Sequence, residues 1–433
     1  MVSSPLSLSK LSSIPGLDLM REVNETLREA ENKDLLIYVH IPFCNSKCVF
    51  CDWVVDIPVK QLVSAPSMGG KYTDALCRQM SSYGPQLADI GYKPKYIYWG
   101  GGTPSRLNTE QILQIVATIR QSFDLSTMQQ HTMETSPETL DPEKLAAIRA
   151  AGIERISMGV QSFDDAELRR SARSHSAEQA CNAVRMIKQA GFEDQNIDLI
   201  AGLPGQSMAA LEHSVRTAIE LAPTHISVYI YRPDPKTVMA KQSRTGKREI
   251  VGLEKLQTFY GRAKEMLEEA GYPEYSTYYF AKDSRYYFKA EEYYFEMQGD
   301  YVGFGSGAYS ILGSRFLKTT ADIHQFIDNP LAFEFCQRYS PANPAGLTTL
   351  LSQAVLTKAG INYKQFERYT GFPFSYIRRH PYIEGLLQYY SDCGAVFVET
   401  DESLSVTEET RSKAHVVHLA GVYEAARLGA SSH

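Results

Sequence analysis

Short apolar runs alternate with longer amphipathic segments through the first half of the chain. Six runs are rich in β-branched or aromatic residues and end in Gly, Pro or a polar cluster, which is typical of buried strands. These runs are residues 35–43, 95–102, 131–137, 155–163, 196–205 and 225–233. The segments between them have the apolar repeat of helices, and they are residues 108–123, 141–152, 176–191 and 208–222.

Helix start and stop signals agree with these boundaries. Asp141 and Ser176 stand where N-caps belong, and Gly152 and Gly191 stand just past the ends of the same two helices. Six successive β-α units predict an α/β fold with a parallel sheet, either open or curled into a barrel. In both forms the functional loops lie at the C-terminal ends of the strands.

Polar residues gather at this predicted edge of the sheet. Three cysteines follow the first run, and the glycine-rich residues 100–103 follow the second. Along the remaining four runs, one polar side chain comes from each, namely Glu134, Gln161, Asp198 and Arg232. A single polar residue can simply end a strand, but one from every strand has no packing rationale. The pattern therefore predicts a functional site at this edge.

Length, charge and cysteine content exclude several classes of protein. The chain has 433 residues, enough for two or three domains, and its net charge of -6 gives no general attraction to nucleic acid or acidic membranes. No run approaches the roughly 20 apolar residues of a membrane helix, and the N-terminus lacks the apolar stretch of a signal peptide. Seven cysteines, three of them crowded together, do not resemble a disulfide framework. We therefore expect a cytoplasmic protein.

Beyond about residue 240 the alternation stops. A Tyr-rich segment, residues 272–297, precedes a glycine-rich turn; its rings could stack on a planar ligand, although packing explains most of them. The end of the chain has the pattern of helices followed by a hairpin-like wing, without a basic run for nucleic acid. The predicted domains are an N-terminal extension (1–34), a β-α core (35–240), a Tyr-rich extension (241–340) and a C-terminal helical, winged-helix-like domain (341–433).

The segment FCNSKCVFCDWV contains Cys44, Cys48 and Cys51 in a C-x3-C-x2-C array. A closed zinc site needs a fourth ligand, and His40 is a candidate because it is close in sequence. However, His40 lies in a predicted strand, where successive side chains alternate between faces. A [4Fe–4S] cubane offers four iron corners, so three thiolates leave one iron open for a substrate or cofactor. The spacing favours a cluster over zinc.

This array, with Phe50 before its last cysteine, resembles the signature of radical S-adenosylmethionine enzymes. The motifs YVHIPFCNSKCVFCDW, YWGGGTPSRL, GVQSFDDAEL, DLIAGLPGQ and FGSGAYS resemble the oxygen-independent coproporphyrinogen III oxidase-like (HemN-like) group, which includes haem chaperones and class C radical methyltransferases. The resemblance spans residues 35–410 and implies a partial (β/α)6 barrel, a winged C-terminal part, a [4Fe–4S] cluster and two S-adenosylmethionine molecules bound side by side.

The resemblance also implies roles for individual residues. The three cysteines hold the cluster, Tyr38 packs near the cluster-bound cofactor, and Phe50 offers backbone contacts to adenine. Backbone N–H groups approach the methionine portion closely at the residues Gly101, Gly102 and Thr103. Ribose hydroxyls and amino-acid groups are oriented by the side chains of Glu134, Gln161, Arg173 and Asp198. Arg232 falls where the family usually has a small residue that makes a backbone contact.

Departures from the family pattern distinguish its branches. Coproporphyrinogen oxidases carry a further cysteine at the position where this chain has Trp53. Haem chaperones carry an HN pair ahead of YW before their glycine-rich turn. This chain lacks the pair, since its residues 289–305 are KAEEYYFEMQGDYVGFG. Residues 171–175, SARSH, replace a glycine-containing segment. With CDWVVDIPV, these departures favour class C methyltransferases and cyclopropanases of natural-product pathways. A haem chaperone or a coproporphyrinogen III oxidase-like protein is the alternative.

The favoured function implies a reaction sequence. Reductive cleavage of one S-adenosylmethionine gives a 5′-deoxyadenosyl radical, which abstracts hydrogen from the methyl group of the second, and the resulting methylene radical adds to an sp2 carbon. The expected partners are a small-molecule substrate and an electron donor such as flavodoxin or ferredoxin. A partner methyltransferase is a further candidate, and no membrane or nucleic acid is expected. Tyr229 or Tyr231 could relay a proton or an electron, but the sequence assigns no catalytic residue.

Overall fold

The computed structural model describes residues 27–51, 55–56, 67–231, 237–247, 251–335, 351 and 357–412. Trp53 and Arg232, two residues that the sequence singles out, lie outside the described residues. So do residues 1–26 of the predicted N-terminal extension and Cys336.

The described strands are β1 Asp34–Ile41, β2 Lys93–Gly101, β3 Gln130–Thr135, β4 Arg155–Gln161, β5 Asp194–Ala201, β6 His225–Ile230, β7 Glu274–Ser276, β8 Tyr279–Ala281, β9 Asp300–Phe304, β10 Tyr309–Leu312, β11 Arg315–Thr319, β12 Phe333–Phe335, β13 Ile361–Asn362, β14 Phe397–Glu399 and β15 Ser403–Val406. The described helices are α1 Met68–Asp89, α2 Thr109–Ser122, α3 Pro142–Ala150, α4 Asp165–Arg170, α5 Ala177–Gln189, α6 Met208–Leu221, α7 Val238–Arg244, α8 Leu253–Glu269, α9 Lys289–Phe295, α10 Ile323–Asp328, α11 Tyr363–Thr370, α12 Phe374–Arg378, α13 Pro381–Asp392 and α14 Glu408–Ser412.

Strands β1 to β6 form the parallel sheet that the sequence pattern predicts. Each predicted apolar run overlaps one of these strands, and neighbours in the chain pair in order from β1 to β6. Every residue of β1 after Asp34 is buried, as expected of a parallel strand that is covered on both faces. The structure therefore confirms the α/β fold with a partial barrel of β-α units.

The predicted helix signals are also confirmed. The side chains of Asp141 and Ser176 accept hydrogen bonds from backbone N–H groups in the first turns of α3 and α5. Gly152 and Gly191, which follow the same two helices, have φ angles of +77° and +82°. Glycine adopts this left-handed conformation without a Cβ penalty, which ends each helix just before the next strand.

Elements beyond residue 240 extend the same sheet at both edges. Strand β9 pairs in parallel with β1, and β10 to β12 continue outward as antiparallel strands, while β8 and β7 extend the sheet beyond β6. The glycine-rich turn after β9 serves this packing: a Cβ on Gly305 would lie 2.6 Å from the backbone oxygen of His40 and from the Tyr72 hydroxyl. The described twelve-stranded sheet therefore brings the Tyr-rich segment to the edge of the barrel.

The C-terminal elements form a small winged unit that packs on this extension. Strands β13, β15 and β14 make a three-stranded antiparallel sheet, which confirms the predicted wing. Phe366 and Phe374 share a hydrophobic cluster with Ile311 and Phe316 of the large sheet. Arg368 also lies 2.5 Å from the buried carboxylate of Asp300, which ties α11 to the first residue of β9. None of the helices in the described part of the chain combines the length and apolar character needed to cross a membrane.

Candidate active site

The three cysteines of the C-x3-C-x2-C array lie in the loop that follows β1, and none forms a disulfide. The Cys44 N–H donates to the backbone oxygen of Asp56 at 3.0 Å, and the Cys51 N–H donates to that of Cys48 at 3.2 Å. The Cys44 sulfur lies 3.7 Å from the hydroxyl of Thr103, and Nη1 of Arg173 lies 3.3 Å from the Cys48 sulfur. Direct side-chain contacts therefore join the cysteine loop to the glycine segment at Thr103 and to Arg173.

The SARSH segment, residues 171–175, supports this cysteine loop. Ser46 donates to the backbone oxygen of Ala172 at 2.7 Å, and the Val49 N–H donates to that of Ser171 at 3.2 Å. Asn45 donates to Glu138, whose carboxylate also accepts from the hydroxyl of Ser174. The segment therefore holds the backbone of the loop as well as placing Arg173 against it.

The ligand arrangement does not resemble a zinc site. Nδ1 of His40, the proposed fourth zinc ligand, lies 3.1 Å from the Tyr38 hydroxyl. Among the described residues, no three His, Cys, Asp or Glu side chains are grouped closely enough to hold a metal ion. In a cubane each thiolate binds a different iron, so the thiols need not converge on one point. The geometry is compatible with a cluster rather than a single zinc ion.

The glycine segment packs against the cysteine loop more closely than the sequence pattern indicates. The N–H groups of Gly102 and Thr103 donate to the backbone oxygens of Ile41 and Phe43 at 2.8 and 2.9 Å. A Cβ on Gly102 would lie 2.8 Å from the backbone carbon of Pro42, so glycine is required for this approach. These two N–H groups are therefore engaged within the protein, which differs from the predicted donation to a cofactor.

A cavity of about 580 Å³ opens at the C-terminal ends of the strands. Six of the predicted cofactor-binding residues line it, namely Tyr38, Phe50, Gly101, Glu134, Gln161 and Asp198. Gly102, Thr103 and Arg173 lie outside its lining and instead contact the cysteine loop or its neighbours. The structure therefore brings six of the predicted residues together around one space and places Gly102, Thr103 and Arg173 against the cysteine loop or its neighbours.

Gln161 lines this cavity and lies at an irregularity in the strand pairing at the end of β4. The pairing of β4 with β5 shifts register between Gly159 and Gln161, and Gln161 has a φ of +73°, which is unusual for a residue with a side chain. Its buried Oε1 has no hydrogen-bond partner among the described residues. Because an unpaired buried acceptor is costly, this oxygen indicates a ligand that brings a hydroxyl or N–H donor.

Two buried carboxylates face the same space. Glu134 accepts from the hydroxyl of Tyr98, and burial raises the pKa of Glu134 to about 8, with the nearby charge of Asp198 adding to the effect. Asp198 accepts from Nδ2 of Asn196 at 2.6 Å, and burial raises its pKa as well. A cationic ligand would stabilise both carboxylates in their ionised form.

The Tyr-rich segment contributes a wall that the sequence pattern attributes mainly to packing. Tyr278, Tyr279, Phe288 and Tyr294 line the cavity, so a part of this segment faces a ligand space. Glu291 of α9 also lines it and accepts from the Tyr279 hydroxyl at 3.1 Å. The signal for Glu291 in the sequence is an acidic pair between aromatic residues, which local pattern alone does not place in a site.

Residues 38–218 match the family model described as the Radical SAM superfamily. Heme chaperone HemW from Bacillus subtilis is 32% identical over 296 residues, which cover 67% of this chain and 74% of that protein. The chain belongs to the radical SAM superfamily. More particularly, it belongs with the HemN/HemW-like proteins of that superfamily.

Other relatives are of the same two kinds. Heme chaperone HemW from Escherichia coli is 30% identical over 297 residues, covering 67% of this chain and 74% of that protein. Oxygen-independent coproporphyrinogen III oxidase from Salmonella typhimurium is 27% identical over 304 residues, covering 68% and 65%. The solved structure of coproporphyrinogen III oxidase (HemN) from Escherichia coli has a TM-score of 0.69 at 22% identity and covers 92% of both chains, which shows the shared fold. The closeness to class C methyltransferases that the sequence favours is not found among these relatives.

Membership of the superfamily implies a [4Fe–4S] cluster and S-adenosylmethionine, and the described residues fit both. The loop supplies three unbridged thiols, with a guanidinium beside one of them. The cavity supplies an unpaired amide oxygen at Gln161 and two buried carboxylates, which suit the hydroxyl and ammonium groups of the cofactor.

Proposed function

We propose that the three cysteines of the loop hold a [4Fe–4S] cluster and that S-adenosylmethionine binds beside it against Glu134, Gln161 and Asp198. When bound and reduced, these groups supply a 5′-deoxyadenosyl radical. The convergence of the loop, the unpaired Gln161 amide oxygen and the buried carboxylates at one edge of the sheet carries this proposal. The residues of the chain orient the cofactor, and the buried aromatic walls keep water from the radical.

The cavity extends beyond the proposed cofactor contacts. Its volume of about 580 Å³ lies within the range of sites for small molecules, and its lining runs from Gln161 of the barrel to Phe316 of the extension. We infer that one cofactor lies near the loop and that the second S-adenosylmethionine or the substrate lies toward the Tyr-rich wall. Equilibrium dialysis of the reconstituted protein would measure how many S-adenosylmethionine molecules bind to each chain.

We propose first a function on a porphyrin, either as a haem chaperone or as a coproporphyrinogen III oxidase-like protein. The relatives named heme chaperone HemW, at 30–33% identity for three of them, favour this function over methylation. The aromatic walls agree with a flat ring system, since Tyr98 and Phe288 lie with ring centroids 5.1 Å apart along the cavity. Titration of the reconstituted protein with haemin would then give a stoichiometric Soret band.

The charge of the cavity favours a second candidate, methyl or methylene transfer to an sp2 carbon. Glu134, Asp198 and Glu291 line the cavity, whereas its described lining contains no Lys or Arg to pair with the carboxylates of a porphyrin. The sulfonium and ammonium groups of a second S-adenosylmethionine suit such an acidic space. The departures in residues 289–305 and at Trp53 point in the same direction.

One isotope experiment separates the two candidates. The reconstituted protein is incubated with dithionite and with S-adenosylmethionine that carries a trideuterated methyl group. Deuterium in 5′-deoxyadenosine, together with release of S-adenosylhomocysteine when substrate is present, would establish methylene transfer. Stoichiometric haemin binding with unlabelled 5′-deoxyadenosine would establish the porphyrin function.

A further inference from the structure

Two tyrosines of the cavity wall donate a hydrogen bond to a carboxylate, and the two pairs differ in their surroundings. The Tyr98–Glu134 pair belongs to the barrel, and Glu134 is one of the proposed cofactor contacts. The Tyr279–Glu291 pair belongs to β8 and α9, outside the six parallel strands. The proposed cofactor contacts do not use this second pair.

Glu291 has acceptor capacity that the protein does not use. Among the described residues, its carboxylate accepts a hydrogen bond from Tyr279 and from no other side chain, and it has no ion-pair partner. A carboxylate buried in an aromatic wall without a cation is costly unless it has a proton to hold or a ligand to meet. Its second oxygen therefore remains available for a proton.

Tyr279 is placed to react with a ligand in the cavity. Its ring lies edge-on to those of Tyr229 and Phe288, with centroids 6.0 and 5.8 Å away. Its hydroxyl donates the hydrogen bond to Glu291, and both side chains line the cavity. A phenol O–H bond transfers its hydrogen to a carbon radical, and a hydrogen-bonded carboxyl group can supply the replacement proton.

We propose that Tyr279, paired with Glu291, donates a hydrogen atom to a carbon radical formed in this cavity. The inference rests on the proposed radical function and concerns the methylene-transfer candidate, because oxidative decarboxylation of a propionate removes an electron from the carbon radical instead of adding a hydrogen atom. The Tyr279 O–H bond breaks and a C–H bond forms, which leaves a neutral tyrosyl radical. The phenol is restored by one electron and one proton. The electron comes from a low-potential reductant, the same class of donor that cofactor cleavage already consumes, and the proton comes from Glu291. Water then reprotonates Glu291, so the net change is one electron and one proton added to the carbon radical.

Electrostatics keep Glu291 able to hold this proton near neutral pH. Burial raises the pKa of Glu291 to about 7, with the hydrogen bond from Tyr279 lowering it and the charge of Asp198 raising it. The titratable groups that interact with Glu291 are Tyr38 of β1, Glu134 of β3, Asp198 of β5, Tyr229 of β6, Tyr275 of β7 and Tyr279 of β8. Both protonation states of Glu291 are therefore populated at pH 7.

The test uses the reconstituted holoprotein, S-adenosylmethionine and dithionite in D2O, without added substrate. Hydroxyl hydrogens exchange with D2O and carbon-bound hydrogens do not, so transfer from a tyrosine leaves carbon-bound deuterium. We expect deuterium in 5′-deoxyadenosine or in the methyl group of recovered S-adenosylmethionine. Tyr279→Phe should lose most of this label while its iron content stays at the wild-type level.

The chain offers a matched control for this substitution. Tyr260 also donates to a buried carboxylate, that of Glu274, but neither residue lines the cavity. Tyr260→Phe should therefore keep the label. Equal label in Tyr279→Phe and wild type would overturn the inference, as would 5′-deoxyadenosine that forms without any carbon-bound deuterium. Absence of 5′-deoxyadenosine would instead overturn the proposed radical function, and the inference with it.

Glu291→Gln tests the proton in two ways. In the wild type, label formation over repeated turnovers should fall as the pH rises through the pKa of Glu291, about 7, because the proton donor is lost. The glutamine variant should lack this pH dependence. In the chain without cluster or cofactor, an infrared carboxyl C=O band seen at low pH should vanish in Glu291→Gln and move to higher wavenumber in Tyr279→Phe. An unchanged pH profile and an unchanged band would overturn the role of Glu291.

Discussion

The six-stranded barrel and the Tyr-rich extension both line one cavity, but they bring their residues to it in different ways. In the barrel, Glu134 and Gln161 lie at or near the ends of successive parallel strands, so chain topology alone brings them together. In the extension, Glu291 reaches the cavity because distant strands add to the sheet edges and carry α9 with them. The barrel wall carries the residues proposed for the cofactor, and the extension carries the part of the cavity available to a substrate.

The strongest test of this division removes the metal ligands. Cys44→Ala, Cys48→Ala and Cys51→Ala should each abolish the reconstituted cluster, which holds about four iron and four sulfide ions per chain. A cubane held by only two protein thiolates would lose its attachment. Iron and acid-labile sulfide analysis after anaerobic reconstitution measures the loss.

Cysteines elsewhere in the chain supply the control. Cys181 and Cys393 are unpaired and lie on α5 and after α13, away from the loop, so their alanine variants should keep the full cluster. Tightly bound zinc in the freshly purified protein, with iron absent after reconstitution, would contradict the cluster.

The next test separates the cofactor contacts from the support of the loop. Asp198→Ala should weaken S-adenosylmethionine binding by roughly ten- to hundredfold, because a lost charge-assisted hydrogen bond costs about 1.5–3 kcal/mol. Arg173→Ala should also disturb the cluster, since the guanidinium lies 3.3 Å from the Cys48 sulfur. Equilibrium dialysis measures the affinity and iron analysis measures the cluster.

Asp124→Ala is the matched control, because this exposed carboxylate pairs with Lys93 on the surface. It should leave both quantities unchanged. Wild-type affinity in Asp198→Ala would remove Asp198 from the proposed site, and full cluster content in Arg173→Ala would remove Arg173 from the support of the loop.

The sequence predicts the barrel wall well because its signals are local. A buried run, an N-cap such as Ser176 and a helix-ending glycine such as Gly191 are properties of short segments, and right-handed β-α connections then fix the sheet. The pairing of β9 with β1 joins residues far apart in the chain, and nothing local specifies that partner. For this reason Glu291 and its neighbours are recognised only in the structure.

Backbone hydrogen bonding is a second point that residue types do not reveal. The glycine segment has the composition expected of a cradle for a ligand, yet Gly102 and Thr103 use their N–H groups to join the segment to the cysteine loop. Small residues permit close approach in either case. Which neighbour approaches depends on the path of the whole chain.

The third test examines the charge of the barrel wall through pH. Burial raises the pKa of Glu134 to about 8, so at pH 7 the free protein holds this group mostly neutral. A cationic cofactor stabilises the ionised form, and binding therefore releases a proton. Affinity for S-adenosylmethionine should rise with pH below this pKa, by up to about tenfold per pH unit. Titration calorimetry in buffers of different ionisation enthalpy also counts the proton.

Glu134→Gln cannot release that proton, and its affinity should depend less steeply on pH than that of the wild type. The comparison is made below the pH at which the cofactor's own amino group titrates. Identical slopes in the two proteins would show that Glu134 does not contact the cationic part of the cofactor.

The test with the smallest expected effect asks which aromatic residues of the extension only pack and which face the cavity. Tyr287 stacks on Tyr275 with ring centroids 3.7 Å apart and an interplanar angle of 7°, and neither ring lines the cavity. Tyr287→Ala should lower the free energy of unfolding by about 0.5–1.5 kcal/mol, the usual contribution of an aromatic pair beyond its buried area, while cluster content and cofactor affinity stay unchanged. Tyr287→Phe keeps the stack and should restore most of the stability. A loss of cofactor binding in Tyr287→Ala, with stability preserved, would mean that the ligand-facing wall reaches beyond Tyr279 and Glu291 to this stacked pair.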